Sequence, residues 1–283
     1  MQITKAIITA AGKTQAHLPL QTVVDRSGRV RTALELLLDE VTGAGIDEVA
    51  IIIRPGQQDR YRQAVSSSAP KITLVEQHEP RGYGDALLRA REFCDGQAFL
   101  HMVSDHLYVS RSNSTCAAQI VEVAKREQCA VSAVQPTREN QLAYFGVIGG
   151  RPIPRVNSLF EVNAVLEKPT PTIAEQSLIV AGQRAGHYLC LFGMHVLTPN
   201  IFELLDAAVA QLKPGEMANL STSLHQLAQA QRYLATELQG VRYNIGEKYG
   251  LLIAQLAIAL SGGDRDQVLT EILELLAKNQ TGN

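Results

Sequence analysis

Four stretches of the chain carry residue types that can do chemistry together. In residues 5–19, KAIITAAGKTQAHLP, an apolar run ends in Ala10, Ala11 and Gly12 before a polar loop closed by Pro19. Small residues at the end of a buried strand let the backbone approach a flat or charged ligand, although a first strand with a tight turn explains them as well. In residues 76–90, EQHEPRGYGDALLRA, Pro80, Gly82 and Gly84 precede a helix expected to be capped by Asp85 and to run through Phe93. Glycines there expose N–H groups that suit a carbonyl-bearing base or an anion, and a plain capped turn fits equally. Asp105 follows the apolar run 98–103, where a carboxylate can hold Mg²⁺ or merely cap a turn. Glu167, Lys168 and Pro169 end another strand. Lys168 can meet a phosphate as a point charge and Glu167 can accept from sugar hydroxyls, or the two can form a surface ion pair. His101 and His106 lack a third ligand at zinc spacing, so structural roles are the expectation for both. Neither standard phosphate fingerprint, G-x-G-x-x-G or G-x-x-x-x-G-K-[ST], is present.

The elements around these stretches read as α/β. Runs 6–9 and 49–53 are continuous apolar strands. Between them Thr32 and Glu35 form a capping box for a helix with Leu34, Leu37, Leu38 and Val41 on one face, ending near 43–45. Strand, helix, strand in about fifty residues is a parallel βαβ unit. Ligands of such sheets lie beyond the carboxyl ends of the strands, which gathers the four stretches at one edge. Further strands are expected at 71–76, 130–134, 162–166, 186–194 and 234–238, with an antiparallel excursion over 150–163. Helices are expected at 58–66, 112–127, 198–209, 248–260 and 265–277. Residues 242–246, RYNIG, read as a turn entering a helix. Leu251, Leu252, Leu256, Leu273 and Leu276 are expected to be buried in the monomer, with a homo-oligomer contact as the other use.

A net charge of −2 without a basic stripe argues against nucleic-acid binding, and no apolar window is long enough for a membrane span. The N-terminus shows no signal-peptide pattern. Cys94, Cys116, Cys129 and Cys190 have no metal or redox spacing, so reduced, buried thiols in a cytoplasmic protein are the expectation.

Taken in order, the motifs resemble those of the sugar-1-phosphate nucleotidyltransferases, most closely bacterial UTP–glucose-1-phosphate uridylyltransferases. The matching pieces are AAG at 10–12 with Pro19, GAGIDEVAII at 43–52, Gln77 with GYGDA at 82–86, SD at 104–105, FGV at 145–147, EKP at 167–169, GHYLC at 186–190 and YNIGEKYG at 243–250. The resemblance implies a single Rossmann-like mixed, mostly parallel sheet flanked by helices over residues 1–283. A sugar-binding lobe would lie around 140–195 and C-terminal helices over 247–278. It implies that Ala10, Ala11 and Gly12 hold the nucleoside with backbone groups and that Gln77 and Gly82 read the uracil edge. Asp105, with Asn244 in place of a late aspartate, would bind Mg²⁺. Gly146, Glu167 and Lys168 would face the sugar phosphate. The reaction implied joins UTP and glucose 1-phosphate into UDP-glucose and pyrophosphate, with Lys168, Asp105 and Lys13 as catalytic residues.

The resemblance breaks in the first loop. The family pattern G-x-G-T-R is here Gly12-Lys13-Thr14-Gln15-Ala16, and Gln21 and Thr22 stand where a lysine follows the proline. A cation lost from a phosphoryl-transfer site costs orders of magnitude in rate. Lys13, Arg26, Arg29 and Arg31 are candidate replacements. The alternatives are a sugar-nucleotide-binding or regulatory protein without the triphosphate clamp, or the same transfer with another sugar 1-phosphate or with dTTP.

Overall fold

The computed structural model describes residues 1–12, 16–65, 70–213 and 215–280. In chain order its elements are β1 (Ile3–Thr9), β2 (Thr22–Val24), β3 (Val30–Thr32), α1 (Ala33–Gly43), β4 (Glu48–Ile53), α2 (Gln58–Gln63) and β5 (Lys71–Glu76). Then come α3 (Tyr83–Leu88), α4 (Arg91–Cys94), β6 (Ala98–Val103), β7 (His106–Ser110), α5 (Cys116–Glu127) and β8 (Ala130–Arg138). The chain continues with β9 (Gly146–Pro152), β10 (Leu159–Glu167), α6 (Pro171–Ser177), β11 (His187–Leu197), α7 (Asn200–Ala210) and α8 (Leu220–Ala230). It closes with β12 (Tyr233–Glu237), β13 (Gly240–Asn244), α9 (Gly250–Ala259) and α10 (Arg265–Gln280).

Nine strands form one sheet in the order β5-β4-β1-β6-β11-β8-β12-β10-β9. Pairings β5–β4, β4–β1, β1–β6 and β8–β12 are parallel, and only β11 and β10 run against the rest. The sheet is thus mixed and mostly parallel. β11 also pairs with β9, at Leu189↔Ile148 and Cys190↔Val147, which curls the last five strands into a closed ring.

The continuous apolar runs follow from burial on both faces. On β4, Val49, Ile51 and Ile53 join the core under α1 and α5, while Ala50 and Ile52 join the core under α3, α7 and α8. Alternation along a strand makes this division automatic. Leu34, Leu37, Leu38 and Val41 of α1 are buried, and the Thr32–Glu35 capping box is formed in both directions. The apolar face of α5, Ala117, Ile120, Val121 and Ala124, is buried as well. All four cysteines are free and buried. Among the described residues no helix is long and apolar enough to cross a membrane.

Four local expectations fail for identifiable reasons. Asp85 is not a cap: Gly82 is, and Asp85 lies inside α3, where Gln77 and Arg89 satisfy its buried carboxylate. The helix expected to run through Phe93 breaks at Arg89–Ala90 into α3 and α4. Of the turn expected at 242–246, residues 242–244 belong to strand β13 instead, because β7, about 130 residues earlier, supplies the pairing partner. The leucines of the C-terminal helices are largely uncovered: Leu252, Leu273 and Leu276 are 56%, 57% and 54% exposed. α9 buries only Ala254 and Ile258 of its residues, against Leu18, Val23, Leu107 and Ile245. The hairpin β2–β3 around residues 25–29 carries no clear strand signal of its own.

Candidate functional site

A cavity of about 980 Å³ opens at the carboxyl ends of β1, β5 and β6, and its far wall comes from β9, β10, β13 and the start of α9. On its near side Ala11 and Gly12 follow β1. Ala10 does not reach it; its N–H extends the sheet to Ile52 at 2.8 Å and its methyl group lies in the core. Gln77 leaves β5, and its Nε2 donates to the Gly82 carbonyl at 3.1 Å and to Asp85 at 2.7 Å. That fixes the carboxamide plane at the cavity wall. Gly82 has a φ of 108°, and a Cβ there would meet the Ala218 carbonyl at 2.5 Å. Only glycine tolerates both. Ala218 in turn donates to the Arg81 carbonyl and accepts from the Gly84 N–H, so the segment before α8 braces this loop.

Asp105 sits between β6 and β7. Burial would raise its pKa, yet the charge and hydrogen bond of His106, at 2.7 Å, and the charge of Lys168 keep it below the ordinary carboxylate range. The β13–β7 register sets Asn244 against His106, and the Ile245 N–H donates to the Asp105 carbonyl at 2.8 Å. Asn244 Oδ1 accepts from the Gly246 N–H at 2.9 Å. One ionised carboxylate beside one carboxamide suits Mg²⁺, which commonly takes one or two carboxylates and completes its shell with water and substrate phosphates. Among the described residues no group of three or more His, Cys, Asp or Glu could enclose a metal without such help.

At the other end, the Glu167 carboxylate accepts from Ser221 Oγ at 2.6 Å and lies 3.7 Å from Lys168 Nζ. A Cβ on Gly146 would come within 2.8 Å of Ser221 Oγ and 3.2 Å of Glu167 Oε2, so the glycine keeps that space open. Lys168 adopts a left-handed backbone, φ 47°, immediately before a proline, held by its N–H to the Phe145 carbonyl at 3.0 Å. Such a conformation is costly for a residue with a side chain and tends to occur where an orientation matters.

Ala11, Gly12, Gln77, Gly82, Asp105, Gly146, Glu167, Lys168 and Asn244 therefore face one cavity. Lys13 lies outside the described residues. Arg29 and Arg31 pair with Asp25, and Arg31 also with Asp39; neither these two nor Arg26 reaches the cavity. Sequence reasoning missed Arg242, which lines it. Its guanidinium lies 4.0 Å from the Phe145 ring centre and 6.0 Å from that of Phe192. Burial lowers its pKa to about 10 against the opposing influence of Cys190, Tyr108 and Glu247. The signal was available: Arg242 and Asn244 share a face if 240–244 is a strand. His106 also has more than a structural place, since it holds Asp105. His101 matches the structural expectation, fully buried between Thr9, Tyr83 and His195 and held well below its ordinary pKa by burial and by His195.

A mixed sheet with a cavity of this kind at its strand ends, bearing a carboxylate, cations and glycine-lined walls, can receive a nucleotide and a phosphorylated partner. The chain belongs to the nucleotidyl transferase family, whose model matches residues 21–259 and so begins beyond the divergent loop. It is 23% identical to a UTP–glucose-1-phosphate uridylyltransferase of Streptococcus pneumoniae, covering 99% of this chain and 98% of that protein. It is 24% identical to a uridylyltransferase of the same description from Streptococcus pyogenes, covering 92% and 90%. In fold it is similar to a UTP-bound UGPase from Acinetobacter baumannii, with a TM-score of 0.76, 20% identity, and coverage of 97% and 100%. A UDP-glucose pyrophosphorylase complexed with UDP-glucose gives a TM-score of 0.73 at 21% identity, covering 90% and 98%.

Proposed function

We propose that the chain transfers UMP from UTP to glucose 1-phosphate, giving UDP-glucose and pyrophosphate, with Mg²⁺ as cofactor. The observation that carries the reading is the single cavity shared by the Gln77–Gly82 wall, Asp105 and the Gly146–Glu167–Lys168 wall. The names of the relatives agree with it. A phosphate oxygen of the sugar phosphate forms a bond to the α-phosphorus of UTP, and the bond from that phosphorus to the bridging oxygen of pyrophosphate breaks. The nucleophile is already an anion near neutral pH, so no general base is needed. Rate then depends on alignment and on neutralising charge.

In this reading Ala11 and Gly12 support the nucleoside with backbone groups, and Gln77 and Gly82 read the uracil edge. Glu167, steadied by Ser221, accepts from sugar hydroxyls, and Lys168 neutralises phosphate charge. Asp105 and Asn244 would hold Mg²⁺, which would supply positive charge against the phosphates. Residues 1–283 act as one domain, with 140–195 as the sugar-binding lobe and 247–278 as C-terminal helices. The uncovered leucines of α9 and α10 are a homo-oligomer contact in a cytoplasmic enzyme.

One observation favours a second reading. Arg26, Arg29 and Arg31 lie away from the cavity, so none of them replaces the loop arginine of the family pattern. A protein that binds sugar nucleotides without transferring them has no need of that cation. A pyrophosphate-release assay crossing UTP, dTTP and other nucleoside triphosphates with several sugar 1-phosphates decides. Release with UTP and glucose 1-phosphate supports transfer. Binding of UDP-glucose without release under any pairing supports the second reading.

A further inference from the structure

Arg242 is 6% exposed, yet its Nε and Nη1 have no hydrogen-bond partner among the described residues. Among the described residues no carboxylate forms an ion pair with it, although the charge of Glu247 acts on it from further off. A buried guanidinium left in this state is expensive, because desolvation is not compensated. Its position is well determined nevertheless. The Arg242 N–H donates to Gln135 Oε1 at 3.2 Å, and β13 pairs it with Tyr108. The rings of Phe145 and Phe192 offer their faces to the charge but no hydrogen-bond acceptor in the plane of its donors. Phe145 also ties this place to the chemistry: its carbonyl receives the Lys168 N–H and its neighbour is Gly146. The pattern is that of a cation held ready for an anion that arrives with a ligand.

We propose that Arg242 is a phosphate-binding residue of this cavity, its guanidinium pairing with the oxygens of a phosphate ester bound beside Lys168. The assignment builds on the transferase reading for the identity of the ester, which is the sugar 1-phosphate or the α-phosphate of the nucleotide. It adds a cation to a chain whose first loop lacks the arginine of the family pattern. Arg fits the task better than Lys, because its donors are forked and its plane stacks on an aromatic ring.

The test uses the whole protein labelled with ¹⁵N-arginine. The Arg242 Nε–H resonance is assigned by its through-space contact with the Phe145 and Phe192 rings. Glucose 1-phosphate, UTP and inorganic phosphate are then titrated separately. A shift with glucose 1-phosphate identifies the sugar phosphate as the partner, and a shift with UTP alone identifies the nucleotide phosphate. No movement with any of the three overturns the proposal. As a second measurement, Arg242→Met is expected to weaken binding of the responding phosphate ligand roughly ten- to hundred-fold while leaving uridine affinity unchanged, as expected for loss of charged hydrogen bonds. A folded Arg242→Met protein with ordinary affinity for both ligands also overturns it. Should that variant not fold, the wild-type titration decides. Movement with inorganic phosphate in a protein that releases no pyrophosphate keeps this anion site and removes the transferase reading. Full synthesis of UDP-glucose by Arg242→Met does the reverse.

Discussion

In the proposed reaction Asp105 and Lys168 have different tasks, and their surroundings differ accordingly. Asp105 stays ionised although buried, because His106 and Lys168 stabilise the charge. Lys168 is aimed by a left-handed backbone that a proline would normally discourage. Removing either is expected to lower pyrophosphate release by roughly 10²–10³-fold, the usual loss for one electrostatic contact to a transition state. Steady-state assays of Asp105→Ala and Lys168→Ala check this, and ordinary turnover in both would dismiss the mechanism. Gly146 makes a finer prediction. A methyl group there collides with Ser221 Oγ and crowds Glu167. Gly146→Ala is therefore expected to raise KM for glucose 1-phosphate several-fold, with the KM for UTP little changed. An equal rise in both KM values would show that the contact is not confined to the sugar end.

At the level of elements, α1 and α5 meet at a buried carboxylate. Glu40 of α1 accepts from the Ala117 N–H at 2.9 Å, at the start of α5. Burial raises its pKa from 4.5 to about 7, although the Ala117 and Cys116 N–H groups oppose the shift. The folded state thus holds a proton that the unfolded state has lost. The resulting stability is full below pH 4.5 and declines as pH rises through 7. The change is on the order of 3 kcal/mol over that window. Glu40→Gln keeps an acceptor for α5 and abolishes the titration. Denaturant midpoints across this range should slope downward in the wild type and flatten in the variant; parallel slopes would remove Glu40 as the cause. The cap at the other end of α1 is simpler. Thr32→Ala loses the hydroxyl that receives the Glu35 N–H at 3.2 Å and should cost about 1 kcal/mol in the same measurement. An unchanged midpoint would show the box to be redundant.

For the molecule as a whole, the C-terminal helices stand apart from the rest in their apolar exposure. Leu252, Leu273 and Leu276 are more than half exposed, and Ile253 and Leu275 add to the uncovered surface. Clusters of this kind mark an interaction surface or an aggregation hazard. If copies of the chain pair through them, as proposed, light scattering should give an oligomer for the wild type and a monomer for Leu273→Glu combined with Leu276→Glu. A monomeric wild type would end that idea; α10 contributes no residue to the cavity, whereas Ile253 of α9 lines it.

The sequence by itself determined what depends on nearest neighbours and on periodicity. The unbroken apolar runs of β1 and β4 announced strands buried on both faces. Thr32 and Glu35 announced the start of α1, and the spacing of Leu34, Leu37, Leu38 and Val41 announced its buried face. Most of the site residues that the sequence singled out do face the cavity, because strand ends of an α/β sheet gather on one side whatever their order. Tertiary structure decided the rest. β13 exists only because β7 is there to pair with it, and that register sets Asn244 beside Asp105 and Arg242 over Phe145. Asp85 left its expected cap position because Gln77 and Arg89 satisfy it inside the helix. Arg26, Arg29 and Arg31 are close to the first loop in sequence and remote from the cavity in space. Hydrogen-bond partners and charge compensation come from residues far along the chain, and no local pattern encodes them.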